Sequence, residues 1–190
     1  GRAHAQVRQQ QAFSPGLLHL GGRPGVALVV GGVHQADQEH EQDVAPRHRP
    51  DRRRVAEPRR EIEQMRPAGR LVRDVLQRLT EVAEVGTNLL ELDAIAHDMI
   101  RAAGGTSCYI DYHPVFGASP FGYVICTSLN EGVLHGRPYD RVLEDGDLLS
   151  LDFAVSVEGW VADSCLTIPV GTPRAEDLQL IRDTEQVMWA

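Results

Sequence analysis

The chain reads as an α/β (α+β) protein, an antiparallel sheet with flanking helices preceded by a disordered tail. Three observations predict this. Residues 146–170 alternate apolar and polar at a period of two, interrupted by Glu158-Gly159. Residues 58–103 carry two apolar stripes at helical spacing. Residues 1–57 show neither period and are rich in Gln, Gly, Pro and Arg.

Composition bounds the function. A net charge of −8 argues against a nucleic-acid binder as a whole. The charge is uneven, with eight arginines against six acids over 1–57 and eleven against twenty-one over 58–190. Cys108, Cys126 and Cys165 have no CxxC spacing, which points to a reducing compartment and no disulfide framework. No apolar run approaches a membrane span, and Gly25 to Val33 is too short and too internal for a signal peptide. Two regions follow: 1–57, a disordered or non-native tail with at best a short strand near Ala27 to Val30, and 58–190, a partial domain. His34, His40 and His48 fit no ligand spacing and read as solvated.

In the folded part, Ile62, Met65, Leu71, Val72, Val75, Leu76, Leu79 and Val82 predict a helix, with a kink or late start at Pro67. Asn88 and Glu91 form a capping pair for a second helix, whose buried stripe is Leu92, Ile95, Ala96, Met99 and Ile100 and which Gly104-Gly105 ends. His97 beside that stripe reads as an ordinary helix histidine. The loop Thr106 to Phe121, with Tyr109, Tyr112, His113 and Phe116, has the composition of a pocket wall. Tyr123 to Leu129 reads as a buried strand, and His135 with Gly136 is placed to face a cleft.

The hairpin carries the chemistry. With a two-residue loop at Glu158-Gly159, Val157 opposes Trp160 and Ala154 opposes Asp163. Asp152 then shares a face with Asp163 as a diagonal neighbour, roughly 7–8 Å away at the backbone. Carboxylates so placed repel unless a cation lies between them or one holds a proton. A metal site answers this; two solvated aspartates on an exposed face would also satisfy the pattern. A last helix is expected from Pro173 to Ala190, capped by Thr172, with Leu178, Ile181, Val187 and Met188 inward.

CTSLNEGVLHG followed by DGDLLSLDFAVSVEGWVADS, with IEQMRPAGRLV and YHPVFG upstream, resembles the type I methionine aminopeptidases. The resemblance runs from about Glu61 to Ala190. The histidine-to-aspartate spacing is seventeen and the aspartate-to-aspartate spacing eleven. It implies the N-terminal half of a pita-bread fold, in which two similar halves enclose two divalent metal ions (Co, Mn, Fe or Zn). On that resemblance Asp152 and Asp163 are metal ligands, Asp163 bridging. His135 is then the catalytic histidine that hydrogen-bonds substrate, and Tyr112, His113, Phe116 and Cys126 line the methionine pocket. Asn130 matches a turn near a monovalent-cation site. The implied activity is removal of initiator methionine from nascent proteins in the cytoplasm, with the ribosome as an implied partner.

Departures are equally clear. A histidine and two glutamates that complete the metal shell in the resembling proteins are not matched here. With two of five ligands, the chain is expected to be an incomplete and inactive half that self-associates. The alternative is a non-catalytic pita-bread half acting as a binding module. Pro67 stands where relatives carry a helix former.

Overall fold

The computed structural model describes residues 27–30, 58–113 and 119–189. Its elements are β1 (Ala27–Val30), α1 (Pro58–Val82), α2 (Leu89–Ala102), β2 (Thr106–Ser107), β3 (Cys126–Leu129), β4 (Leu148–Val157), β5 (Trp160–Pro169) and α3 (Ala175–Trp189). All pairings are antiparallel, in the order β1-β5-β4-β2, with β3 also on β4.

The alternation in β4 and β5 divides the sheet into two faces. Leu149, Leu151, Phe153 and Val155 of β4, with Ala162, Leu166 and Ile168 of β5, are buried in one hydrophobic cluster. α1 packs across both strands and supplies Leu71, Val75, Leu76 and Leu79 to the same cluster. Leu89, Leu92, Ala96 and Ile100 of α2 complete it. The opposite face carries Ser150, Asp152, Ala154, Asp163, Cys165 and Thr167, and there the Ser150 and Thr167 hydroxyls lie 2.8 Å apart.

Four expectations change. α1 runs through Pro67 with no late start. The carbonyl that Pro67 leaves without a partner is that of Glu63, in an exposed turn, while the buried residues from Ala68 onward hold the helix on the sheet. The Asn88 cap is present, but its side chain accepts from Leu90 N at 2.9 Å and donates to Asp140 at 2.7 Å. The last helix starts at Ala175, and Arg174 just before it bonds Asp177 at 2.7 and 2.8 Å. Val187 of that helix is 78% exposed, so only Ile181 of its apolar set is fully inward. The strand near Tyr123 shortens to β3.

The strand at Ala27–Val30 is present and pairs with β5, Val29 facing Cys165. The sheet therefore takes a strand from the segment read as a tail; the rest of 1–57 lies outside the described residues.

Phe153 has no exposed surface and sits where α1 crosses β4. Replacing it with alanine is expected to cost about 3–5 kcal/mol in urea unfolding. A loss below about 1 kcal/mol would mean that this face is not the core.

Candidate metal centre

The reverse turn sets the site. Glu158 and Gly159 have φ of 53° and 82°, both left-handed, which makes the connection a type I′ turn whose twist matches the strands it joins. It fixes the register Val157 to Trp160, Ala154 to Asp163 and Asp152 to Cys165. Asp152 and Asp163 therefore emerge on one face, both half-buried. β3 extends the Asp152 rung, placing Cys126 opposite it on the other side.

The two carboxyl groups are close enough to hydrogen-bond when Asp163 is protonated. Burial first, and the Asp152 charge second, push the Asp163 carboxyl up to about 6. The Tyr109 hydroxyl opposes this in part; it donates to Asp152 Oδ1 at 3.2 Å and also favours the Asp163 carboxylate. Burial and the two carboxylates push the Tyr109 phenol far above its ordinary range, so it stays a donor. The same causes push the Cys126 and Cys165 thiols up to about 12. They face the pair as neutral, weakly polar groups rather than as thiolates.

This donor set fits a divalent cation. Two hard carboxylate oxygen donors lie together, and among the described residues no cation acts to lower the Asp163 carboxyl. Among the described residues no group of three or more His, Cys, Asp or Glu is placed to hold a metal ion.

The other expected residues are dispersed. His135 is exposed, in a left-handed conformation with φ of 55°. Its loop is pinned to β3: Thr127 N donates to Gly136 O at 2.7 Å, and Gly136 N donates to Ser128 Oγ at 3.1 Å. A Cβ at Gly136 would run into the Thr127 carbonyl oxygen, so only glycine fits. Tyr112 is 64% exposed, and His113 is exposed with Nδ1 3.1 Å from Asp111 O; neither walls a closed pocket. Both lie beside the segment 114–118, and Phe116 falls within it, outside the described residues. Cys126 is buried on the Asp152 rung.

Asn130 uses its amide structurally: Oδ1 accepts from Leu148 N at 2.9 Å and Nδ2 donates to Asp147 at 2.9 Å. His97 is exposed. Sequence reasoning did not single out Tyr109 or Cys165 for this site. Cys165 was recoverable from the register, since it opposes Asp152; Tyr109 lies in an aperiodic loop that gives no such signal.

The fold defines the class, a pita-bread protein, with two aspartates paired on one face of its hairpin. More particularly, the chain belongs to metallopeptidase family M24, which its residues 63–190 match. It is 39% identical to the methionine aminopeptidase of Helicobacter pylori over 123 residues, 64% of this chain and 46% of that protein. The crystal structure of methionine aminopeptidase from Rickettsia prowazekii superposes with a TM-score of 0.63 at 28% identity, covering 68% of this chain and 50% of that one. Prolidase from Pyrococcus furiosus, at 20% identity and a TM-score of 0.53 over 64% of this chain and 33% of that one, shares the fold. The chain spans about half the length of the curated relatives it matches. Membership of this family implies divalent metal ions.

The Asp163 shift has a defined pH sign. Its carboxyl is raised from 3.8 to about 6 on folding, so its stabilising contribution is complete below 3.8 and is lost as pH rises through about 6. Asp163→Asn should therefore stabilise the metal-free chain increasingly between pH 4 and 6.5, read as the variant-minus-wild-type difference in urea unfolding with EDTA present. A difference independent of pH would remove the coupling between the two carboxyls.

Proposed function

We infer that this chain provides the carboxylate half of a methionine aminopeptidase, a metalloaminopeptidase that removes initiator methionine from nascent proteins in the cytoplasm. The placement of Asp152 and Asp163 on one face of the hairpin carries the reading. The match to the methionine aminopeptidases supports it. Among the described residues no helix is long and apolar enough to cross a membrane.

In this reading Asp152 and Asp163 would help to hold two divalent ions, Co, Mn, Fe or Zn. When bound, such ions supply Lewis-acid polarisation of a peptide carbonyl. Tyr109 orients Asp152 through its hydroxyl and keeps one oxygen turned toward the loop. His135 hydrogen-bonds the substrate near the scissile amide, its reach set by the Gly136 contact with β3. Tyr112, His113, Phe116 and Cys126 are the residues proposed to meet the methionine side chain. The neutral Cys126 thiol suits an apolar thioether there.

The ligand shell needs a histidine and two glutamates beyond the two aspartates. The 190-residue chain alone is therefore expected to release no methionine from Met-Ala-Ser with Mn or Co supplied. Turnover by that chain would overturn the incomplete-shell account. A longer polypeptide carrying the further histidine and glutamates should release methionine and lose about 10²-fold or more on Asp163→Asn. If it bound peptides without cleaving them, the chain would instead be a binding module. Leu180 and Val187, on one side of α3 at 59% and 78% exposure, are the surface through which the chain would self-associate or meet a ribosomal partner.

A further inference from the structure

Arg137 stands two residues beyond His135, on the same pinned loop. Its guanidinium carbon lies 5.8 Å from the Phe121 ring centroid and 5.5 Å from that of Tyr123. Phe121 meets both Tyr109 and Tyr123 edge-on, each at 6.1 Å between centroids. Tyr109 in turn bonds Asp152. One unbroken line of contacts thus joins the carboxylate pair to the guanidinium at the rim.

Arg141 is paired with Glu144 and Asp147, and Arg174 with Asp177, but among the described residues Arg137 has no carboxylate within ion-pair distance. The neighbouring segment 114–118 contains no acidic residue. The Arg137 side chain is exposed, while two rings hold its head and Gly136 holds its backbone. A guanidinium immobilised before a partner arrives loses less entropy on pairing, and its planar fork matches a carboxylate. A polyanion is a poor fit, because residues 58–190 carry twenty-one acids against eleven arginines. A single carboxylate on a peptide suits the surroundings.

We propose that Arg137 docks an acidic side chain of a peptide lying in the carboxylate cleft, and so sets a preference for Asp or Glu at its third residue. The inference rests on the reading that places an N-terminal methionine beside Asp152 and Asp163. With the scissile amide at His135, Arg137 lies at most roughly 7 Å further along the loop, within side-chain reach of the second residue past the cleaved bond.

The test titrates Met-Ala-Asp-amide and Met-Ala-Asn-amide into the 190-residue chain, following affinity and the Arg137 side-chain Nε–H signal by NMR. The aspartyl peptide should bind roughly fivefold tighter and shift that signal. Arg137→Met should abolish the preference, and Arg137→Lys should keep part of it. Equal affinities, an unmoved Arg137 signal at millimolar peptide, or a preference that survives Arg137→Met would each overturn the proposal. Ala-Ala-Asp-amide separates it from the reading beneath it. If that peptide binds as well and still prefers Arg137, the methionine assignment falls and the carboxylate site stands.

Discussion

The parity imposed by a two-residue reverse turn is the constraint on which the site depends. In a strand, every shift of one residue exchanges the two faces. With Glu158 and Gly159 both left-handed, the turn admits one register, and Ala154 must face Asp163. The same register that turns Leu149, Leu151, Phe153 and Val155 toward α1 turns Asp152 and Asp163 the other way. Core and site are therefore a single decision. A slip that separated the aspartates would also move four buried side chains into solvent.

Placing two acids side by side has a cost that the surroundings limit without removing. Tyr109 donates to the pair, and the flanking Cys126 and Cys165 stay neutral, so no further negative charge is added. Burial and the Asp152 charge push the Asp163 carboxyl up to about 6, so a cation beside the pair would relieve the repulsion. Members of metallopeptidase family M24 meet this need with divalent ions, and the donors here are of the hard type such ions take. Arg137, set against the Phe121 and Tyr123 rings, is not among the groups acting on the Asp163 carboxyl.

Much of this was legible before any coordinates. The alternation through β4 and β5, the Glu158-Gly159 turn and the helical stripes of α1 and α2 are local patterns, and each appears in the fold. What escaped the sequence depends on contacts between distant residues. Proline at position 67 is tolerated because packing further along α1 outweighs one missing hydrogen bond. The partner of Ala27–Val30 lies more than a hundred residues away, and four residues alone do not announce it. Tyr109 reaches Asp152 from a loop in which nothing distinguishes it from Tyr112. α3 begins two residues later than the Thr172-Pro173 signal suggests, with Arg174 bonded to Asp177 across its first turn.

The central claim is that one cleft, built by one turn, holds a divalent ion between Asp152 and Asp163. Paramagnetic line broadening by Mn(II) in the NMR spectrum of the chain reads this directly. The account expects amide signals around Asp152 and Asp163 to broaden together at the lowest Mn(II) additions, with those of the exposed acids on α3 unaffected. Broadening at one aspartate without the other, or first at another acidic site, would contradict it.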